Sequence, residues 1–395
     1  MFKSLNKLPY EHFHNRFDLP LIGATLFLLS WGTVMIYSTG GVYADLQYND
    51  GQYFLYRHLM HMLVGLVLMI VAIIVNYHKW QKYSIWLMLG ILVLLILVLV
   101  PEIGHEVKGG RRWLRMGSFS LQPAELLKVV LIIYVASYLE RKQELLASFF
   151  RGLTPNFIVT GIYLFLVLLQ PDFGTVILIA TTILLMLYVG GGRPIHIATS
   201  LFGVGIIGGI LVASHSYRIR RMLAFLNPWD DPQNSGFQII QSFIALGTGG
   251  WVGKGLGESL QKRLFLPDAH TDFIFAIIGE ELGFLWISVL IILFSVFIWR
   301  GYWIAWNAQD TFGKHLAFGA TTILGLQIIL NLFVVLGLLP TKGLPLPFIS
   351  YGGTSLVVAM FLTGILLNIS SNLSPNDINN SNGLSNKNIQ TKKND

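Results

Sequence analysis

Long runs of apolar residues recur along the chain, and they constrain its fold more than any other feature. A helix needs roughly 17–25 predominantly apolar residues to cross about 30 Å of bilayer hydrocarbon. The clearest runs are Leu19–Ser38, Leu59–Val75, Ile85–Val100, Gly174–Val189, Ile195–Ala213, Leu282–Trp299 and Leu316–Leu339. Shorter runs are Val129–Leu139, Phe157–Leu169 and Leu356–Ile369. The pattern predicts an all-α polytopic membrane protein with about ten transmembrane helices.

The composition excludes the main alternatives. Charged residues make up 12% of the chain and hydrophobic residues 54%, with a mean hydropathy of +0.63. A soluble globular protein carries roughly 25% charged residues. A water-soluble enzyme and a disordered chain are therefore excluded. The absence of cysteine excludes a disulfide scaffold, a thiolate nucleophile and a cysteine metal site.

The basic residues of the short loops predict the orientation of the chain. Lys3, Lys7 and Arg16 precede the first span, and the loops expected on the same side carry Lys79, Lys82, Arg141, Lys142, Arg151, Arg193, Arg300 and Lys314. The positive-inside rule places this side in the cytoplasm. We expect a cytoplasmic N-terminus at residues 1–18, a membrane domain at 19–370 and a disordered, Asn/Ser-rich cytoplasmic tail at 371–395. Residues 214–271 then form a long external loop between spans seven and eight, in which Phe237–Leu246 has the periodicity of a short amphipathic helix.

Two external loops are unusually basic for this orientation. Their positive residues are Lys108, Arg111, Arg112 and Arg115 after span three, and Arg218, Arg220, Arg221, Lys254, Lys262 and Arg263 before span eight. Arginine binds phosphate oxygens in a bidentate manner, so these clusters suit a lipid-linked phosphate or pyrophosphate. Attraction to anionic lipid headgroups is the simpler alternative.

The segment His270-Thr271-Asp272 directly precedes the apolar start of span eight. Asp272 there is either a helix N-cap or a catalytic carboxylate at the outer mouth of the bundle, flanked by His270 and Asp268. Glu280 lies about 12 Å deeper along the helix, where an ionised carboxylate must face the protein interior or a wet cavity. Lys128 at the head of span four raises the same choice, with an intramembrane salt bridge to Glu125 as the simpler reading.

Prolines interrupt the chain between spans nine and ten. Pro340, Pro345 and Pro347 prevent a helix in the apolar segment Pro340–Ser355. Such a segment is tolerated at membrane depth when it packs into protein. We expect it to pack back into the bundle from the outer side, with Lys342 and Ser350 facing a polar cavity.

These features together favour a particular class of reaction. Hydrolysis of a glycoside needs two carboxylates because the leaving alkoxide must be protonated. A pyrophosphate leaving group is neutralised by cations or a metal instead, so that one carboxylate base suffices to activate an acceptor hydroxyl. A transporter or flippase for an anionic lipid would use the same cations without chemistry.

Five stretches resemble one known family. They are GGRRWLRMGSFSLQPAELLK, QPDFGT, NPWDDPQNSGFQIIQS, FLPDAHTDFIFAIIGEELG and GLLPTKGLPLPFISYGGTS. The chain resembles the SEDS (shape, elongation, division and sporulation) family of polytopic peptidoglycan polymerases over about Leu19–Asn368. The segments Thr341-Lys342-Gly343 and Gly236-Phe237-Gln238 are more similar to division members than to elongation members. Asp268 and Thr354 depart from the family, which usually has Glu and Ser there.

The resemblance implies an activity and a set of partners. It implies a glycosyltransferase of the bacterial inner membrane that polymerises lipid II at the division septum, releases undecaprenyl pyrophosphate and uses Asp272 as the general base. It also implies a class B penicillin-binding transpeptidase, division activator proteins and membrane lipids as partners, without nucleic acid, and a divalent cation (Mg²⁺ or Mn²⁺) with Asp268 as a candidate contact. We predict substrate contacts from Arg111, Arg112, Trp113, Lys128, Arg218, Lys342, Ser350 and Glu280. A lipid II flippase and an elongation-type polymerase remain the alternatives.

Overall fold

The structure is a computed structural model, and it describes residues 17–107, 109–117, 119–213, 216–234, 236–263, 265–341 and 343–373. The predicted cytoplasmic N-terminus, apart from Phe17 and Asp18, and nearly all of the predicted tail lie outside these residues. So does Lys342.

Helices occupy most of the described chain. Their bounds are α1 Leu19–Tyr48, α2 Tyr53–Ile74, α3 Tyr77–Lys82, α4 Ser84–Leu97, α5 Pro123–Arg141, α6 Thr154–Leu168, α7 Phe173–Val189, α8 Pro194–Ala213, α9 Ser216–Leu226, α10 Phe237–Gly249, α11 Ile274–Asn307, α12 Thr311–Val335 and α13 Gly353–Ser370. Short 3₁₀ turns at Gln143–Leu145 and Pro228–Asp230 and a π-helical turn at Phe149–Leu153 link some of them.

Each predicted span coincides with one of these helices, so the helical membrane fold is confirmed. Among the described residues, six helices are long and apolar enough to cross a membrane: Leu19–Gly41, Tyr53–Ile74, Phe149–Leu168, Ile274–Asn307, Thr311–Val335 and Gly353–Ser370. The apolar helices α4, α7 and α8 are shorter, and α5 carries Glu125, Lys128, Glu140 and Arg141. The count of ten membrane crossings stays a prediction.

The core lies where α13 packs against α2 and where α11 packs against α12, α10 and α1. Small residues allow α13 and α2 to approach each other closely. A Cβ added at Gly65 would lie 2.5 Å from Met360 Sδ, and one added at Gly364 would lie 2.5 Å from Met69 O. Close backbone approach at small residues is the usual basis of helix packing inside membranes.

A small antiparallel sheet follows α4, and the sequence analysis did not predict it. Strand β1 is Gly104–Val107, β2 is Gly110–Met116 and β3 is Phe119–Leu121, in the order β1-β2-β3. Glu106 pairs with Arg111, and Leu114 pairs with both Gly104 and Leu121. The strands are too short for their alternation to stand out in a loop dominated by charge and glycine.

Helix α11 is broken at Gly283, whose backbone has φ 77° and ψ −174°. The glycine-rich segment after α10 inserts its backbone into this break. Lys254 N and Gly255 N donate to the carbonyls of Glu280 and Glu281, while Phe284 N donates to Gly250 O. These hydrogen bonds satisfy the groups that the break leaves free, as burial in protein requires. The backbone of this glycine-rich segment therefore completes a discontinuous helix.

Arg300 corrects one detail of the orientation argument, which counted it as a cytoplasmic loop charge. It lies within α11, is 1% exposed and donates to the Asp18 carboxylate, with 2.5 Å from one terminal nitrogen to Oδ2. Asp18 also accepts a hydrogen bond from Leu21 N and so caps α1. A buried guanidinium needs such a partner because its desolvation is otherwise too costly.

Candidate active site

A cavity of about 1520 Å³ opens between α6, α7 and α8. Its wall along these helices is mostly apolar and includes Leu164, Leu168, Val176, Ile177, Ala180, Ile183, Leu184 and Val204. Polar side chains also line it: Arg112, Asp172, Gln238, Asp268, Asp272 and Thr341. A long apolar wall with a few polar groups suits an amphipathic ligand with a polar head and an apolar chain.

Asp272 lies in this wall, in the turn that precedes α11. The helix begins at Ile274 with Phe273 at the N-cap position, one residue after Asp272. The helix starts late because Thr271 N and Phe273 N both donate to Asp268 O, which closes a separate turn. Asp268 adopts φ 56°, a conformation that Asp tolerates better than most residues. The turn leaves the Asp272 side chain partly exposed at the cavity.

Three consecutive carbonyls of this turn each accept a hydrogen bond from elsewhere in the chain. Tyr351 N donates to His270 O at 3.0 Å. Ser350 Oγ donates to Thr271 O at 2.5 Å, and Asn331 Nδ2 donates to Asp272 O at 2.9 Å. We call residues 270–272 and these three donors the clamped turn. The clamp fixes the backbone that carries the Asp272 carboxylate.

Two of these donors belong to the proline-rich segment, which packs into the bundle as predicted. Leu344, Leu346, Phe348 and Ile349 are at most 2% exposed. Amides of α12 hold the segment: Asn331 Nδ2 donates to Leu344 O and Gln327 Nε2 donates to Pro345 O, both at 2.8 Å.

Ser350 is 3% exposed and is no part of the described cavity wall, so its predicted substrate contact is replaced by a role in the clamp. Asn331 and Gln327 escaped the sequence analysis. An amide inside a long apolar run was the available signal, since such groups need a partner.

The basic loop contributes one of its predicted residues to the cavity. Arg112 lines it and donates to Gln170 O at 2.9 Å and Pro171 O at 2.7 Å. Arg111 instead pairs with Glu106 at 3.3 Å, and Trp113 lies opposite His105 in the sheet. Successive side chains of a strand point to opposite faces, so β2 directs Arg112 away from Arg111 and Trp113. Neither of those two belongs to the described cavity wall.

Lys128 and Glu280 do not reach the described cavity wall either, and their predicted substrate contacts are corrected. Lys128 is 1% exposed and donates to Glu125 Oε1 at 2.7 Å and Gln327 Oε1 at 2.8 Å. These contacts match the simpler interpretation of Lys128 as a member of an intramembrane salt bridge. Glu280 is fully buried and accepts from Lys254 Nζ at 2.6 Å and Ser259 Oγ at 2.5 Å. Both charges are satisfied inside the protein, as buried charges must be.

Two predicted contacts stay untested by the structure. Arg218 belongs to α9, but its side chain lies outside the described part of the molecule, as Lys342 does.

Asp172 lines the cavity while capping α7, because its carboxylate accepts from Thr175 N at 3.2 Å and from Thr175 Oγ1 at 3.0 Å. Its other hydrogen bond, from Gln122 Nε2 at 3.3 Å, ties α5 to the same turn.

Asp172, Asp268 and Asp272 are the carboxylates of the described cavity wall that a metal ion could use. Across the described residues, no group of three or more His, Asp or Glu side chains is arranged to hold a metal ion. Mg²⁺ commonly binds through one or two carboxylates together with substrate phosphates and water. Carboxylates of this kind could contact a cation that arrives with a phosphate-bearing substrate.

Comparisons with known proteins agree with this architecture. The family model for cell cycle proteins of the FtsW, RodA and SpoVE type matches residues 19–374. The chain is 46% identical over 358 residues to the probable peptidoglycan glycosyltransferase FtsW of Geobacter metallireducens, covering 91% of this chain and 96% of the relative. It is 42% identical over 355 residues to stage V sporulation protein E of Bacillus subtilis, covering 89% and 96%.

Two solved structures share the fold. One is a chain of a peptidoglycan synthase complex that coordinates polymerization and crosslinking, with a TM-score of 0.74 and 28% identity over 90% of this chain and 97% of that one. The other is the rod shape determining protein RodA of Thermus thermophilus, with a TM-score of 0.65 and 24% identity over 90% and 96%.

Proposed function

The chain belongs to the FtsW, RodA and SpoVE family of cell cycle proteins, and on this premise we propose that it polymerises lipid II into glycan strands at the division septum. Relatives at 40–46% identity over about nine-tenths of the chain are named peptidoglycan glycosyltransferases of the FtsW type, which supports the division member over the elongation member. The chain is accordingly a membrane-embedded peptidoglycan glycosyltransferase.

The observation that carries this proposal is the composition of the cavity wall. One cavity combines a long apolar surface from α6, α7 and α8 with Asp272 and Arg112. Lipid II joins a polyprenyl chain to a disaccharide through a pyrophosphate, so it needs both kinds of surface at once. A cavity of about 1520 Å³ exceeds the roughly 300–1,000 Å³ typical of small-molecule pockets, as a long lipid requires.

In the proposed mechanism the Asp272 carboxylate accepts the proton of the acceptor sugar hydroxyl. The freed oxygen attacks the anomeric carbon of the donor, and the bond to the pyrophosphate breaks with its electron pair leaving on the pyrophosphate. Undecaprenyl pyrophosphate is the leaving product. The clamped turn holds the base in place throughout, because preorganised groups need no rearrangement during the reaction.

Arg112 supplies positive charge to the leaving group. Its guanidinium already donates to two backbone carbonyls, so it is oriented before a ligand arrives. Lys342 and Arg218 are further candidates for phosphate contacts. A divalent cation, Mg²⁺ or Mn²⁺, would be held by Asp268 together with substrate phosphates and would supply positive charge to the pyrophosphate.

We further propose a class B penicillin-binding transpeptidase as the working partner, together with division activator proteins. The structural neighbour from a synthase complex that couples polymerization to crosslinking supports this pairing. The apolar helices place the chain in a membrane. We propose the bacterial inner membrane at the septum, with both termini cytoplasmic.

The test uses the purified protein in lipid nanodiscs with lipid II, with and without the transpeptidase, and measures glycan polymer. Polymer that depends on this protein supports the proposal. In a parallel proteoliposome assay, transbilayer movement of lipid II without any polymer would favour the flippase alternative and overturn the proposed function.

A further inference from the structure

A cluster of aromatic rings lies beside the clamped turn and outside the described cavity wall. It is formed by Tyr43, Tyr48, Tyr53, Phe54 and Tyr351, from α1, α2 and the proline-rich segment before α13. Phe54 packs on the His270 ring at a centroid distance of 4.6 Å and on Tyr351 at 4.9 Å. Since His270 belongs to the clamped turn and is two residues from Asp272, the cluster adjoins the proposed catalytic base.

Part of the cluster is buried support and part is open surface. Phe54 is 6% exposed and serves as support. Tyr43 stacks on His270 at 5.4 Å but remains 36% exposed, and Tyr48 stacks on Tyr53 at 3.9 Å but remains 47% exposed. We call Tyr43 and Tyr48, with the intervening exposed end of α1, the tyrosine platform. The platform presents the flat surfaces of its tyrosine rings next to the clamped turn.

Hydrogen-bonding groups surround the platform, and most of them are acceptors or amides. Asp45, Asn49, Asp50 and Gln52 are all exposed at the α1–α2 connection. A positive charge also contacts the cluster, because the Arg57 guanidinium lies over the Tyr53 ring at 4.6 Å. Burial raises the pKa of Tyr351, and a hydrogen bond with Arg57 opposes that rise, so Arg57 is engaged within the cluster.

This chemistry matches a neutral sugar better than a lipid headgroup. Carboxylates and side-chain amides accept hydrogen bonds from sugar hydroxyls, while Asp45 and Asp50 repel anionic phosphates. The C–H face of a pyranose carries weakly positive hydrogens, which suit the negative face of a tyrosine ring. The described cavity, in contrast, has an apolar wall suited to the lipid chain.

We propose that the tyrosine platform binds the saccharide of the growing glycan strand as the strand leaves the clamped turn. This inference rests on the proposed function and adds a binding site to it. The lipid part of the substrate then lies on the cavity side of the clamped turn, and the saccharide lies on the platform side.

The test is binding of a soluble peptidoglycan tetrasaccharide, (GlcNAc–MurNAc)₂ without lipid and with its lactyl carboxyl groups amidated so that it is neutral, to the protein in nanodiscs, followed by saturation-transfer NMR. Tyr48→Ala and Tyr43→Ala should each weaken binding by about 2- to 10-fold, the loss expected for one aromatic contact. Tyr48→Phe keeps the ring face and should retain binding. The matched control is Tyr37→Ala, since Tyr37 is 57% exposed on the same helix but lies outside the cluster.

A second readout is the length of strands made from lipid II by the complex with the transpeptidase. Tyr48→Ala should shorten the strands, and Tyr37→Ala should leave them unchanged. Equal effects of Tyr37→Ala and Tyr48→Ala would make the tyrosines membrane-interface anchors and would overturn the proposal. Failure of the parent protein to make polymer would refute the proposed function, whereas polymer without any tetrasaccharide binding would refute the platform alone.

Discussion

At the scale of single residues, the structure separates chemistry from support within one short segment. The side chain of Asp272 reaches the cavity, while the carbonyls of His270, Thr271 and Asp272 are occupied by Tyr351, Ser350 and Asn331. Variants at these positions should therefore fail in different ways. A variant of the base should stop the reaction, and a variant of the clamp should slow it.

Replacing Asp272 by Asn tests the base. The amide keeps the size of the side chain but cannot accept the proton, so polymer formation should fall by about 10²–10⁴-fold. Strand synthesis from lipid II by the complex with the transpeptidase is the measurement, alongside membrane abundance. Asp230→Asn is the matched control, because Asp230 is exposed in the external segment and belongs to no described part of the cavity wall. Undiminished synthesis by Asp272→Asn would show that Asp272 is not the base and would make Asp268 and Asp172 the next candidates.

Asn331→Leu tests the clamp. It removes two hydrogen bonds, each worth about 0.5–1.5 kcal/mol, while the turn keeps its contacts with Ser350 and Tyr351. We expect kcat to fall roughly tenfold with little change in KM, since the base is displaced rather than removed. Asn156→Leu is the control. The side-chain nitrogen and oxygen of Asn156 are buried and have no hydrogen-bond partner among the described residues, so the substitution should leave polymerisation intact. Equal kinetics for both variants would argue against the clamp.

The basic loop offers a paired test within one strand. Arg112 lines the cavity and Arg111 pairs with Glu106 at a partly exposed site. Arg112→Ala should raise KM for lipid II by roughly 10- to 100-fold, the range for a hydrogen bond to a charged group. Arg111→Ala should change it little, because an exposed ion pair contributes about 0–1 kcal/mol. A larger effect from Arg111→Ala would contradict the geometry of β2.

At the scale of elements, the break in helix α11 requires more hydrogen-bond and charge partners from other segments than any other feature described above. Its break is filled by backbone from the segment after α10, and the two glutamates beside it are neutralised by lysines of the same external loop. Glu280 pairs with Lys254, and Glu281 pairs with Lys262 at 2.7 Å. The segment between α10 and α11 thus folds with α11 as one unit, and the clamped turn lies at the N-terminal end of α11.

Gly283→Ala should disrupt this unit. A Cβ at Gly283 would lie 2.3 Å from Gly253 N, and the positive φ is strained for any other residue. We expect a lower thermal unfolding temperature in detergent and lower membrane abundance. Gly247→Ala is the control, since a Cβ there meets nothing within 4 Å in helix α10 and should gain about 1 kcal/mol of helix propensity. A Gly283→Ala protein as stable as the parent would disprove the tight insertion.

At the scale of the whole molecule, the orientation in the membrane can be tested directly because the chain contains no cysteine. Single cysteines are introduced at Glu258, exposed in the external loop, and at Gln309, exposed between α11 and α12. In intact spheroplasts a membrane-impermeant maleimide should label Glu258→Cys alone, and after permeabilisation it should label both. The reverse pattern would invert the predicted orientation and place Asp272 on the cytoplasmic side.

The sequence by itself determined the class of the molecule and singled out the segment for which we propose the catalytic base. The apolar runs predicted each long helix, since a span of apolar residues is a local property, and the proline-rich segment was correctly expected to pack inward. The motif around Asp272 pointed to the turn that lines the cavity. These inferences needed only neighbouring residues.

Only the tertiary structure decided which charged groups serve the cavity and which serve the fold. Lys128 donates to Gln327, which is 199 residues away, and Arg300 donates to Asp18, which is 282 residues away. Their charges look identical in sequence to those of a binding site, because the partner that satisfies a buried charge is supplied by distant packing. Distant packing also supplies the contact of Asn331 with Asp272 O, which joins α12 to the turn before α11. It likewise forms the short sheet that turns Arg112 toward the cavity and Arg111 away from it.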